Sequence, residues 1–153
     1  MSTTEARLGE LGITLPTPAA PAANYVPWVR TGNLVFVSGQ LPMGPKGIEH
    51  VGRLGADTDV DAGRAAARLC GINLIAQVKA AIGDLDRVVR VVKLTGFVNA
   101  TPDFGDHPKV INGASDLMVE VFGDRGRHSR AAVGAGSLPF GVAVEIEGVF
   151  EVA

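Results

Sequence analysis

The sequence predicts an α+β domain of order β-β-α-β-α-β-β, with two helices packed on one face of a mixed sheet. Three observations carry this expectation. Leu34–Ser38 and Val88–Val98 are short, apolar and rich in Val, as strands are. Two longer stretches, one opening at Asp57–Asp61 and one near Pro108, repeat apolar residues at helical spacing and stop at Gly83 and Gly123. Strand-like and helix-like segments also alternate along the chain, the pattern of two layers around one core. A length of 153 residues fits one domain over residues 1–153.

The elements follow in order. Thr3 or Thr4 can cap a short helix over Glu5–Leu11 that Gly12 stops, with Leu8 and Leu11 as its apolar edge. Pro16–Ala23 reads as extended connector. Tyr25–Val29 forms a first strand, and Pro27 argues for an edge position. Arg30–Asn33 is a turn that joins it to Leu34–Ser38 as a hairpin. Gly39–Gly55 is irregular, with room for a small ribbon around Ile48–Val51. The first long helix carries Ala62, Ala65, Leu69, Ile72 and Ala76 on one face, widened by Ile75, Val78 and Ile82. Val88–Val98 is the longest strand, and Thr101–Asp106 is a loop. The second helix runs over Pro108–Phe122 with Val110, Leu117 and Val121 inward. Two strands on either side of a Leu138-Pro139 turn finish the chain. Helices on one face leave a Val-rich face uncovered, which predicts a homo-oligomer.

Composition excludes several classes. A net charge of −2 is not the footprint of a dedicated nucleic-acid binder. The tract Arg125–Arg130 is locally basic; it can touch phosphate or simply be a solvated loop. The single cysteine, Cys70, cannot form an internal disulfide or a cysteine metal motif, and its helical setting suits packing. His50, His107 and His128 lack paired metal-ligand spacing, so no metal is expected. Gly44-Pro45-Lys46-Gly47 is a turn and not a phosphate loop, and no Gly-x-Ser-x-Gly elbow is present. No uninterrupted apolar run approaches the roughly 20 residues of a membrane span. The first residues lack a secretory pattern, so the cytoplasm is the expected location.

The candidate chemistry lies near the C-terminus. Arg130 opens one strand, and Glu145 and Glu147 sit on the next. As neighbouring strands these would place a cation and a carboxylate at matched depths. A guanidinium can hold a carboxylic acid through two parallel hydrogen bonds, and a glutamate can handle a water or a proton. Arg130 could equally be a solvated residue or one half of a surface ion pair. Other positions carry paired readings. Tyr25 is a ligand-facing phenol or a plain strand aromatic. Ser38-Gly39-Gln40 is an anion-binding strand end or an ordinary turn. Asn112-Gly113 marks a close contact inside a helix or polar surface. His128 shares the face of Arg130 or belongs to a loop.

Taken together, Val37-Ser38-Gly39-Gln40-Leu41-Pro42, Asn112, Arg130, Leu138-Pro139 and Val144-Glu145-Ile146-Glu147 resemble the Rid family of reactive-intermediate deaminases. This is the YjgF family, formerly called endoribonuclease L-PSP. The resemblance runs from about Tyr25 to Val152. It implies a chorismate-mutase-like fold in a homotrimer whose sheets form an inner barrel, with ligand clefts between subunits. It implies hydrolysis of enamines and imines of the 2-aminoacrylate and 2-iminopropionate type to 2-keto acids and ammonia, without cofactor or metal. By the same resemblance Arg130 clasps the substrate carboxylate and Glu145 serves the attacking water. Tyr25, Ser38, Gly39 and Asn112 line the pocket, and Ala132 offers its carbonyl where many members carry cysteine. The chain departs from the compact pattern in an N-terminal extension of about residues 1–23 and in the loops 44–57 and 102–108. Phe104 or Trp28 would reshape the cleft. The alternative functions are a non-catalytic trimer that binds small carboxylates and, behind it, RNA cleavage.

Overall fold

The computed structural model describes residues 2–18 and 24–153. Part of the expected connector, residues 19–23, lies outside them. Five strands form one sheet: β1 (Trp28–Thr31), β2 (Leu34–Gln40), β5 (Val88–Asn99), β6 (Ser129–Ala135) and β7 (Val144–Val152). Their spatial order is β1-β2-β7-β5-β6. All pairings are antiparallel except β5 with β6, which is parallel. Two helices, α2 (Val60–Ile82) and α3 (His107–Phe122), pack on one face. The α+β class, the mixed sheet and the order of main elements follow the sequence expectation.

Local chemistry sets most boundaries. Asp59 caps α2 by accepting from the Ala62 amide at 2.8 Å. Gly83, at φ 82°, ends it in a conformation that a side chain would resist. The first helix, α1 (Thr3–Glu10), is capped by Ser2 and not by Thr3 or Thr4. Those two residues are used otherwise: Thr3 N, Thr4 N and Thr4 Oγ1 all donate to the Asp86 carboxylate at 2.7–2.9 Å. The first strand begins at Trp28, later than expected, because Pro27 has no N–H to give and its carbonyl accepts from Ser38 N instead. The small ribbon lies earlier than expected, pairing β3 (Met43–Gly44) with β4 (Gly47–Ile48) around a Pro45-Lys46 turn. Val51 bridges Val142 instead.

The C-terminal strands depart most from expectation. They are not neighbours. β5 lies between them, and the connection from Gly136 to Ala143 crosses the end of β5, where Asn99 N donates to the Ala143 carbonyl.

The core lies between the sheet and the two helices. Val91, Leu94, Val98, Ile146 and Phe150 project from the sheet into Leu74, Ile75, Val78, Ile111 and Leu117, all fully buried. α2 is as long and apolar as a membrane span, but it carries Arg64, Arg68 and Lys79 on its outer side and faces the core with Ala66, Cys70, Leu74, Ile75 and Val78, while Ala65, expected inward, is exposed. Among the described residues the other sheet face has no helix. It exposes Val29, Phe36 and Val133, with a cavity of about 210 Å³ among Phe36, Lys93, Thr95, Glu147 and Val149.

α2 and α3 approach closely because glycines face the contact. A Cβ on Gly113 would overlap the backbone carbonyl of Arg64, and one on Gly71 would meet Leu117 at 2.9 Å. The close contact foreseen at Asn112-Gly113 is therefore present. Gly113→Ala is expected to destabilise the protein by about 1–3 kcal/mol through overpacking, despite a helix-propensity gain of about 1 kcal/mol. A lowered denaturant midpoint at unchanged slope would show it; an unchanged or raised midpoint would refute the account.

Candidate functional site

Arg130 lies on β6, the strand at one edge of the sheet. Its partner across β5 is Leu94, a fully buried core residue, so Arg130 projects on the helix-covered side toward α3. There Nη1 donates to Asn112 Oδ1 at 2.8 Å and to Ser115 Oγ at 3.1 Å, and Nη2 donates to the Pro108 carbonyl at 3.3 Å. Three of the five guanidinium N–H groups are spent on neutral acceptors. Two remain, the Nε–H among them, and no carboxylate lies within ion-pair distance among the described residues.

The acceptors come from one stripe of α3. Pro108, Asn112 and Ser115 are spaced four and three apart, which puts them on one helix face. Sequence reasoning singled out Asn112 and missed its two companions, although this spacing was there to be read. His128 completes the network. Its Nδ1 donates to the Gly126 carbonyl at 2.6 Å, since that oxygen can only accept, and its Nε2 lies 2.8 Å from Ser115 Oγ. Ser115 thus accepts from Arg130 and donates to a neutral imidazole. Burial pushes the His128 pKa below its usual 6.5, the Gly126 carbonyl opposes this, and the Arg130 charge adds to the lowering. His128 is a loop residue just before β6, as one of its two readings had it, and it reaches Arg130 through Ser115.

Farther along β6, Ala132 and Gly134 share the α3-facing side with Arg130. The His107 ring lies over Gly134, where a Cβ would come within 2.8 Å of Nε2. Phe104 meets that ring edge-on at 5.2 Å. The Ala135 carbonyl accepts from Ala100 N just past β5, so the alternate residues Arg130, Ala132 and Gly134 turn their backbone N–H and C=O outward along the open edge.

The second group of expected residues gathers elsewhere. Glu145 pairs across β7 and β5 with Phe97, on the sheet face without helices. Between Val37 and Gln40 the β2–β7 register shifts, and Gly39 sits in that irregularity. A Cβ on Gly39 would stand 2.5 Å from Glu145 Oε2, so the carboxylate lies directly against the Gly39 backbone. Ser38 Oγ donates to the Val26 carbonyl at 2.9 Å, holding the segment that carries the exposed Tyr25. Burial raises the Glu145 pKa above 4.5, and the charge of Glu147 raises it further.

The expected side-by-side placement of Arg130 and Glu145 is therefore corrected. β5 separates their strands, and alternation puts one on each face of the sheet. The fold brings Arg130, Asn112 and Ala132 to one side, and Ser38, Gly39 and Glu145 together elsewhere, with Tyr25 on the segment that Ser38 holds.

The α+β topology of this chain is that of the chorismate-mutase-like proteins. The chain belongs to the YjgF/Rid family: residues 5–146 match the family described as "YjgF/chorismate mutase-like, putative endoribonuclease". It is 53% identical over 147 residues to protein TCP17 of Trypanosoma cruzi, covering 95% of this chain and 92% of that one. Among solved structures it resembles Atu1372 of Agrobacterium tumefaciens, a protein of unknown function, at 52% identity and TM-score 0.92, covering 98% of this chain and 92% of that one. It also resembles Escherichia coli TdcF, solved with bound serine, at 26% identity and TM-score 0.65, covering 90% and 94%.

The depressed His128 pKa gives a pH prediction. The folded state binds fewer protons than the unfolded chain between the folded pKa and 6.5, so stability falls as pH drops below 6.5. His128→Gln should flatten that acid limb, read as denaturation midpoints on either side of pH 6.5. An acid limb equally steep in the variant would assign the loss to other groups.

Proposed function

We propose that this protein is a cytoplasmic homotrimeric imine and enamine deaminase. It hydrolyses short 2-imino acids, of the 2-aminoacrylate and 2-iminopropionate type, to 2-keto acids and ammonia without a cofactor. The observation that carries this reading is the state of Arg130. It is held rigidly by Asn112, Ser115 and Pro108, carries no internal counter-ion among the described residues, and keeps two N–H groups for a bidentate carboxylate. The serine bound to TdcF, an amino acid with such a carboxylate, supports a small ligand of this class.

The chemistry needs little more than positioning. Water adds its oxygen to the imine carbon, and its proton passes to the Glu145 carboxylate. That proton reaches the nitrogen to give a carbinolamine; the hydroxyl proton then follows by way of Glu145, C=O forms as the C–N bond breaks, and ammonia leaves a keto acid. A raised pKa makes Glu145 a better proton carrier near neutral pH. Holding a reactive imine beside a water supplies most of the acceleration. The Ala132 carbonyl, on the open edge of β6, orients that water.

Because Arg130 and Glu145 are apart in one chain, the site requires a second copy. The uncovered apolar face and the open edge of β6 support such an assembly. In the proposed trimer, Arg130, Asn112 and Ala132 of one subunit meet Tyr25, Ser38, Gly39 and Glu145 of the next. RNA cleavage, named in the family description, fits poorly with a net charge of −2.

The test is ammonia and keto-acid release from freshly generated 2-aminoacrylate. Arg130→Ala is expected to lower kcat/KM by roughly a hundredfold or more, the loss of a bidentate charged anchor. Glu145→Gln should lower kcat by a comparable factor and abolish an acid limb of the rate profile lying above pH 4.5. Co-refolding the two inactive variants should restore part of the activity, since some mixed sites then hold an intact Arg130 and an intact Glu145. Acceleration that survives Arg130→Ala would sink the reading. Carboxylate binding without any acceleration by the folded parent would favour the non-catalytic trimer. Absence of complementation would refute a shared site.

A further inference from the structure

The side of β6 that carries Arg130 does not end at Gly134. Just past the strand, the Gly136 carbonyl accepts from Nη2 of a second arginine, Arg53, at 3.1 Å. The backbone that carries Arg53 is fixed. Its amide donates to Asp57 Oδ1 at 2.7 Å, and its carbonyl accepts from the amides of Ala56, Asp57 and Thr58. The next residue, Leu54, is fully buried and bonded to β5 through Asn99. The Arg53 Nε is buried without a partner, and no carboxylate lies within ion-pair distance of the guanidinium among the described residues. A partly desolvated cation without a counter-ion is costly, and a bound anion relieves that cost.

The same loop leads back toward Arg130. A Cβ on Gly55 would rest 3.4 Å from Phe104, Phe104 meets His107, and His107 lies over Gly134. Among the described residues His107 makes no side-chain hydrogen bond, so its ring is available in the middle of this row. Arg130 leans toward the same place, through the carbonyl of Pro108, which follows His107. Gly134, under the His107 ring, and Gly136, whose carbonyl holds Arg53, are two residues apart, about 7 Å of extended chain. A short dicarboxylic acid is the ligand that a guanidinium at each end of such a row would hold.

We infer that Arg53, with His107 between it and Arg130, forms the side-chain end of the cleft and selects 2-imino acids that carry a second carboxylate. The inference rests on the reading of Arg130 as the α-carboxylate anchor. Arg53 is then a specificity-determining residue, and the imines it favours arise from amino acids with acidic side chains.

The experiment compares kcat/KM for 2-iminosuccinate and 2-iminopropionate, each generated in place, in the parent, Arg53→Gln and Arg130→Ala. The parent should favour 2-iminosuccinate by roughly tenfold or more, and Arg53→Gln should bring the ratio close to one. Arg130→Ala should lose both substrates, so failure of the anchor reading is seen separately from failure of this one. Calorimetric titration with oxaloacetate and pyruvate reads the same preference without turnover. Sedimentation of Arg53→Gln checks its assembly. A parent that does not prefer the dicarboxylate in either assay overturns the inference. So does an Arg53→Gln ratio equal to the parent's, or dissociation of the oligomer, which would make Arg53 an interface residue.

Discussion

Val91, Leu94, Val98, Ile146 and Phe150 are fully buried against α2 and α3, and this packing decides which way every strand residue points. Strand side chains alternate, so once Leu94 faces the helices its neighbour in register, Arg130, faces them too. Once Ile146 and Val144 are in the core, Glu145 must lie on the other face. The separation of the cation from the carboxylate is thus a consequence of core burial. The uncovered face, with Phe36 and Val133 exposed beside Lys93 and Glu147, has the same origin.

The polar group around Arg130 illustrates how a charge is kept available. Carboxylate partners would neutralise it; Asn112, Ser115 and the Pro108 carbonyl fix its position without doing so. Ser115 has a second task. It links the guanidinium to His128, whose burial keeps the imidazole neutral and free of repulsion with Arg130. All of these groups depend on the start and first turns of α3, which Gly113 holds tightly against α2.

The N-terminal segment is tied to the same framework. A helix of eight residues is marginal by itself. Asp86 accepts from Thr3 and Thr4, Lys79 pairs with Glu5 at 2.8 Å, and Arg125 donates to both the Val88 carbonyl and Thr4 Oγ1. These bonds hold the Asp86 pKa below the usual carboxylate range. The Thr4 hydroxyl is thus engaged by a residue more than eighty positions away, and Ser2 caps the helix.

The sequence by itself determined the elements. Apolar periodicity, the Asp59 cap, and Gly83 and Gly123 as stops act within a few residues, so they can be read without knowing the rest of the chain. It also carried Asn112 and Arg130, and with closer attention to helical spacing it would have carried Ser115. Tertiary structure decided what depends on distant partners: the insertion of β5 between β6 and β7, the division of the candidate residues between two faces, and the meeting of Arg53 with Gly136. The physical reason is that local hydrogen bonding and side-chain spacing specify an element. Strand order and facing emerge only when all the elements bury their apolar sides together.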